Sequence, residues 1–321
     1  MTQFKQKHVR VAVTQAEPVW LGLAGTVQKT CDLITEAAST GAEIISFPEC
    51  WLSGYPAWVC CGDRDRPVDP ELAACYIRNS LVVESVEVER IRACAAANKI
   101  IVVLGFSESR HGSLYISQAI IGADGQILTL RSKIKATHME RTIFGDATAE
   151  CLDSVVDTLL GRIGALSCWE HVQPLLKYHT YSQREQIHIA AWPPVFDHDG
   201  KSLWSMSREG TEAIARTYAI ESQSFVLHTT AVISESGIDQ MSTHNGLIMN
   251  SPGGGYSAVF GPNGRKLSTN ISADKEGIIY ADLDIDDILH SKAFLDVVGH
   301  YSRPGLLWLG VDPVVKSHVK L

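Results

Sequence analysis

Gly161-Arg162-Ile163-Gly164-Ala165-Leu166-Ser167-Cys168-Trp169-Glu170-His171 runs from an apolar stretch straight into a cysteine and a cluster of polar residues. Ile163 to Leu166 reads as a short buried strand. Pro174-Leu175-Leu176-Lys177-Tyr178 reads as the start of a helix. Cys168 therefore falls on a strand-to-helix turn, where a thiol is expected to face a cleft. A helix N-terminus there favours the thiolate, the reactive form. Taken alone, a free cysteine is more often a small buried hydrophobe.

Two other segments end in the same way. In Ala42-Glu43-Ile44-Ile45-Ser46-Phe47-Pro48-Glu49 the apolar run is a strand, Pro48 stops it, and Glu49 sits at its carboxyl end. Gln126-Ile127-Leu128-Thr129-Leu130-Arg131-Ser132-Lys133 reads as an alternating strand that ends near Lys133, with Glu140 seven residues on. Each charge alone would be a solvated surface group. A carboxylate, an amine and a thiol at the ends of three strands are a site, because ligands bind at that edge of helix-backed sheets.

Patterning predicts strands at Val9–Gln15, Glu43–Phe47, Ile100–Gly105, Leu114–Ile121, Gln126–Lys133, Arg162–Ser167, Gln186–Ala191, Phe225–Ala231, Gly246–Met249, Ser257–Phe260 and Gly277–Leu283. Helices are predicted at Leu23–Ser39, Glu84–Asn98, Pro174–Ser182, Glu209–Gln223 and Asp284–Ala293. Leu33, Ile34, Ala37 and Ala38 form the apolar stripe of the first, with Gly41 as its stop; Val86, Val88, Ile91, Ala95 and Ala96 do so in the second. Asp124-Gly125 and Asn263-Gly264 mark hairpin turns, so the sheets are mixed. The expected fold is α/β, with helices over the outer faces of two mixed sheets. Residues 1–321 read as one domain, with 299–321 a short C-terminal segment suited to a subunit contact. Ser251-Pro252-Gly253-Gly254-Gly255-Tyr256 is expected to be a mobile surface loop rather than a phosphate cradle.

The 321 residues are 45% hydrophobic and 20% charged, with a formal net charge of -8. That balance gives no footprint for nucleic acid. No apolar run reaches the ~18 residues of a membrane span. The N-terminal residues lack the pattern of a signal peptide, so a cytoplasmic location is expected. The eight cysteines show no disulfide framework and are expected to be reduced, with Cys60 and Cys61 as packed thiols. No spacing suggests a metal or a cofactor.

Phe47-Pro48-Glu49, the run Arg131 to Arg141 and Cys168-Trp169-Glu170-His171 together resemble the three signature segments of the nitrilase superfamily. Ile189-Ala190-Ala191-Trp192-Pro193, Tyr218-Ala219-Ile220-Glu221 and Gly299-His300-Tyr301-Ser302-Arg303-Pro304 extend the likeness from about Val9 to Val311. The family often has Arg-Lys-Leu-Lys-Pro-Thr where this chain has Ser132 and Ala136 at the second and fifth positions; the lysine is kept as Lys133. The Cys-Trp-Glu form and Thr137-His138-Met139-Glu140-Arg141 resemble the true nitrilase branch, and His171 stands where cyanide hydratases often have asparagine. The resemblance implies an α-β-β-α sandwich, no cofactor, and hydrolysis of a small nitrile with water. It implies Cys168 as nucleophile, Glu49 as general base, Lys133 as charge stabiliser and Glu140 in support. The nitrile carbon is a weak electrophile, so a soft nucleophile, a base and a cation suit it. Tyr55, Trp58, Trp169, His171 and Trp192, with Trp51, are candidates for an apolar pocket fitting an arylacetonitrile, against core packing as the alternative. A cyanide hydratase or amidase on the same scaffold, or a non-catalytic assembly scaffold, stands as the alternative function. The resemblance also implies a homo-oligomer built from dimers, of the kind that extends into spirals.

Overall fold

A computed structural model describes residues 8–61, 69–196, 204–246 and 248–315. Its strands are β1 (His8–Ala16), β2 (Ile44–Ser46), β3 (Ile101–Arg110), β4 (Ser113–Ile121), β5 (Ile127–Ser132), β6 (Val155–Thr158), β7 (Gly161–Ser167), β8 (Ile187–Ala191), β9 (Phe225–Ala231), β10 (Ala258–Phe260) and β11 (Gly277–Asp284). Its α-helices are α1 (Leu23–Ser39), α2 (Pro70–Asn79), α3 (Val86–Asn98), α4 (Pro174–Ser182), α5 (Arg208–Ser222), α6 (Glu235–Met241) and α7 (Asp286–Phe294).

Strand alternation builds the layers. β1 turns Val9, Val11 and Val13 inward against Ile163 and Ala165 of β7, Ile187 and Ile189 of β8, and Phe225 and Leu227 of β9. Its opposite face, Ala12 and Ala16, packs on Val27, Ile34 and Ala37 of α1 and Ile91 and Ala95 of α3. The outer faces of β8 and β9, at Ala190 and Val226, pack on Ala215, Tyr218 and Ala219 of α5. The order is helix, sheet, sheet, helix, the expected α-β-β-α sandwich. Each fully buried Val, Leu or Ile contributes about 1.5–3 kcal/mol, so the inter-sheet layer holds the sandwich together.

One half-sheet runs β5-β4-β3-β2-β1 and the other β9-β8-β7-β6, with β11 beside β1 and β10 beside β9. They fuse where β1 leaves β2 and pairs in parallel with β9, at Gln15–Thr230 and Ala16–Ala231. The pairings β1–β2, β2–β3, β7–β8, β8–β9 and β1–β9 are parallel, and β5 is antiparallel to β4, itself antiparallel to β3. The carboxyl ends of β2, β5, β7 and β8 therefore lie along one edge. A buried hydroxyl pair stitches the halves below it, Ser46 Oγ and Thr229 Oγ1 at 2.8 Å, and Thr14 Oγ1 of β1 donates to Ser46 O at 2.9 Å within the first half.

The Asp-Gly turn closes β4 onto β5 through Gly122 N to Gln126 O and Gly125 N to Gly122 O, both 2.8 Å. The Asn-Gly turn makes the same bonds, but the segment after it pairs back only through a bridge, Phe260 to Lys266. Thr40 and Gly41 close α1 on the carbonyls of Ala37 and Ala38. In α3 the buried stripe is Val88, Ile91 and Ala95, while Val86, in the first turn, is exposed.

Several expectations are corrected. The strand expected at Gly246–Met249 does not form at its described residues, which lie in bends. The glycine-rich segment is no surface loop at its centre. Gly253, Gly254 and Gly255 are buried, and their backbones bond Ile233, Val195 and Ala273 at 2.9–3.0 Å. Three elements escaped the pattern reading: β6, a four-residue edge strand, and helices α2 and α6. Asp69-Pro70 before α2 was a legible start signal, since Asp69 Oδ1 accepts from Glu71 N and Leu72 N at 3.0 and 3.1 Å. The eight cysteines are all free, Cys60 and Cys61 included.

Candidate active site

The last residues of three strands reach the shared edge by different means. After β2, Phe47 N still bonds Val103 O at 2.9 Å, but Pro48 has no N–H and ends the ladder. Glu49 N then turns across to Trp192 O of the other half-sheet at 3.4 Å. β3 passes close beneath at Gly105, where a Cβ would lie 2.2 Å from Pro48 O. Lys133 follows β5, fixed by its N–H to Ile116 O at 2.7 Å. Cys168 opens a single 3-10 turn, Cys168–Val172, with a left-handed φ of 49°. A non-glycine residue held there stores backbone strain of about 1–3 kcal/mol. The strain aims the side chain out of the strand's plane.

These segments converge on the Lys133 ammonium. Lys133 Nζ donates to Glu49 Oε1 at 2.9 Å and to Glu140 Oε2 and Oε1 at 2.9 and 3.1 Å. Cys168 Sγ and a carboxylate oxygen of each glutamate lie within 4.8 Å of one another. All four side chains are buried. Glu140 is itself held by the Tyr55 hydroxyl at 3.0 Å and by Thr137 N and Oγ1 at 2.7 and 3.1 Å. Its pairing is thus with Lys133. Lys135 pairs with Asp146 instead, and Arg141 caps the His138 carbonyl. The second Glu49 oxygen, Oε2, is buried without a hydrogen-bond partner.

Burial sets the electrostatics. It pushes the Glu49 carboxyl up to about 8; Lys133 opposes this and Glu140 adds to it. Burial also works against the Lys133 charge, but Glu140 and Glu49 outweigh it and hold its pKa well above the ordinary lysine value. The Cys168 thiol is pushed well up by burial and then by Glu49, against the pull of Lys133 and of the Trp169 N–H. This corrects the expectation of a thiolate favoured by a helix N-terminus. The turn after Cys168 is one short 3-10 segment, and the α-helix starts only at Pro174. A neutral thiol therefore faces a carboxyl that titrates near neutrality.

The candidate pocket residues divide. Tyr55 touches the cluster through Glu140. Trp169 follows the cysteine, half buried, edge-on to Trp192 with ring centroids 5.7 Å apart. Trp58 packs edge-on to Tyr76 and lines a cleft of about 510 Å³ with Leu114, Arg141 and Phe144, beside the cluster rather than over it. Trp192 is fully buried and stacks on His171. Two expectations change. Trp51 donates its indole N–H to Thr30 Oγ1 of α1 and belongs to the core. His171 has both ring nitrogens engaged, with Cys168 O at 2.7 Å and His188 Nε2 at 2.9 Å, so it supports the turn from behind.

Some of the supporting residues were not singled out in the sequence. Glu170 binds Arg131 through both oxygens and accepts from Ile134 N and Ser167 N at 2.8 and 2.9 Å. Arg131 and those N–H groups outweigh the burial penalty and hold its carboxyl below the usual range. Arg131 does carry a signal, as a charge in an alternating strand two residues before Lys133. His188 carries another, since an imidazole inside Ile187-His188-Ile189 needs a partner.

Among the described residues no helix is long and apolar enough to cross a membrane. The sequence profile of the carbon–nitrogen hydrolase family matches residues 10–292. The chain is 69% identical to an arylacetonitrilase of Aspergillus kawachii over 314 residues, covering 97% of this chain and 94% of that protein. It is 68% identical to an arylacetonitrilase of Aspergillus niger over the same shares. One of Aspergillus oryzae is 65% identical, over 100% of this chain and 96% of that protein. Among solved structures, an amidase from Nesterenkonia sp. AN1 superposes with a TM-score of 0.65 at 18% identity, over 88% of this chain and 95% of that one. That likeness concerns the fold. Signature segments, fold and relatives agree, and the chain belongs to the carbon–nitrogen hydrolase family, the nitrilase superfamily, in its true nitrilase branch.

Proposed function

We propose that the protein is a nitrilase converting an arylacetonitrile and two waters into the carboxylic acid and ammonia. The observation that carries the site assignment is the buried meeting of Cys168 Sγ, Glu49 and Glu140 around the Lys133 ammonium. The arylacetonitrile preference rests on arylacetonitrilases that are 65–69% identical to this chain.

In the proposed sequence ionised Glu49 takes the Cys168 proton as sulfur adds to the nitrile carbon. The proton passes to the nitrile nitrogen and a thioimidate forms. Water deprotonated by Glu49 adds to it, ammonia leaves, and a thioester remains. A second water releases the acid and restores the thiol. Lys133 and the Trp169 N–H stabilise charge on the attacked group. Glu140 and Tyr55 hold Lys133 in place. Trp169 supplies apolar surface next to the thiol, and Trp58 lines the neighbouring cleft. Aromatic surface fits an aryl substituent one carbon from the nitrile.

We propose further that residues 1–321 act as one domain in a homo-oligomer. Phe294, Leu306, Leu307 and Trp308 near the C-terminal end expose 69–83% of their surface, which a subunit contact would cover. A reducing, cytoplasmic setting suits eight unpaired cysteines.

The test is product analysis with phenylacetonitrile, benzonitrile, a short aliphatic nitrile, cyanide and the matching amides, wild type beside Cys168→Ala. Acid and ammonia from phenylacetonitrile, lost in the variant, is the expected result. Turnover of cyanide or amides alone would move the protein to a neighbouring activity.

A further inference from the structure

Behind the nucleophile's turn lies a chain of buried polar groups that the proposed reaction does not use. His171 Nδ1 is 2.7 Å from Cys168 O, and His171 Nε2 is 2.9 Å from His188 Nε2. His188 Nδ1 is 2.7 Å from Glu185 Oε2, and the Tyr218 hydroxyl donates to Glu185 Oε1. His188 stacks on Tyr218 with ring centroids 4.0 Å apart. All four side chains are buried. Gly164 of β7 makes room for the carboxyl, since a Cβ there would lie 2.2 Å from Glu185 Oε2.

We infer that His171, His188 and Glu185 are positioning residues, a hydrogen-bond chain with one proton in every link that holds the Cys168 carbonyl and so fixes the left-handed backbone aiming the thiol.

Donor chemistry sets the number of protons. A carbonyl only accepts, so His171 Nδ1 carries a hydrogen. Two facing imidazole nitrogens bond only if one is protonated, so a second hydrogen sits between His171 and His188. His188 Nδ1 and Glu185 Oε2 need a third. Two neutral imidazoles and a carboxylate bring only two hydrogens. The chain therefore holds one more, and its net charge is zero. Burial and the neighbouring His188 push His171 well below the ordinary histidine pKa, which places the additional proton at the His188–Glu185 end. A neutral chain avoids the cost of an uncompensated buried charge. The strained φ of Cys168 then rests on a rigid support anchored in β8 and α5.

The inference rests on Cys168 being the nucleophile, so the experiment includes Cys168→Ala. Wild type, Glu185→Gln and Glu185→Met are compared in full-length protein for kcat and KM on phenylacetonitrile, the rate of Cys168 alkylation by iodoacetamide, and thermal unfolding. Glutamine supplies an amide N–H to neutral His188 and an oxygen to Tyr218, so it preserves every link. Its kcat and alkylation rate are expected within about threefold of wild type. Methionine breaks the chain, and kcat is expected to fall about 100-fold with KM nearly unchanged. Wild-type kcat and alkylation in folded Glu185→Met would overturn the inference, whatever its melting temperature. Equal impairment of both variants would also overturn it, because charge rather than a full set of links would then be needed. Should the methionine variant not fold, NMR of ¹⁵N-histidine-labelled wild type decides: imidazole N–H protons in slow exchange with water support the chain, and their absence removes it. Full turnover by Cys168→Ala would remove the nucleophile assignment itself; Cys168-dependent turnover indifferent to Glu185→Met would remove only the chain.

Discussion

Arg131 and Glu170 meet in a two-pronged ion pair, Nη1 to Oε2 at 2.8 Å and Nη2 to Oε1 at 2.7 Å, with both side chains out of solvent. Arg131 lies two residues before Lys133 and Glu170 two after Cys168, so the pair ties the amine's strand to the thiol's turn. Glu170→Ala leaves a buried guanidinium without its counter-charge, and a loss of about 3–5 kcal/mol is expected. Urea unfolding measures it. A midpoint equal to wild type would mean that the pair does not hold the two segments together.

The Glu49 carboxyl, pushed up to about 8, is mostly protonated at neutral pH and unable to accept a proton. If it is the base, kcat/KM on phenylacetonitrile rises with pH and levels off above the pKa of Glu49 in the free enzyme. A profile that is flat or falling between about pH 7 and 9, a window of about one unit either side of that pKa, would argue against Glu49 as the base.

The same shift predicts a stability slope. Glu49 is raised from 4.5 to about 8, so between those values the folded state binds more protons than the unfolded one. Stability from this group is greatest at the acidic end of the window and is lost as pH rises through about 8. Glu49→Gln cannot titrate. Its melting temperature relative to wild type is therefore expected to rise from about pH 6 to about pH 8.5, across the upper part of the shift. A constant difference would show that Glu49 is not raised. Activity of this variant is expected to fall by about 100-fold or more, as for loss of a general base.

Tyr55→Phe removes one hydrogen bond to Glu140 and leaves the Thr137 contacts. The expected cost is about 0.5–1.5 kcal/mol of stability. Activity is expected to fall several-fold at similar KM, since the carboxylate that holds Lys133 loosens. Steady-state kinetics beside a thermal melt would check both; a large rise in KM alone would make Tyr55 a substrate contact instead.

Much of this arrangement was legible locally. Glu49 and Cys168 each follow an apolar run, the first stopped by Pro48, and Lys133 ends an alternating strand. The strand ends share an edge because β2, β5 and β7 run the same way, which the observed pairings establish. The helix stripe of α1 and the Asp-Gly turn were equally plain. β6 and α6 were not, because four and seven residues carry too little periodicity to stand out.

Sequence by itself determined the longer strands and helices, the sandwich class and which three residues end the strands, because periodicity, turn chemistry and signature spacing are local properties of the chain. Tertiary structure alone decided that Glu140 grips Lys133 and not its sequence neighbours. It also turned His171 away from the cleft to His188, and put Trp51 in the core. Above all it reversed the expected charge state of Cys168. Desolvation and the field of residues far away in sequence set a buried group's pKa, and neither exists until the two half-sheets close over Glu49 and Lys133.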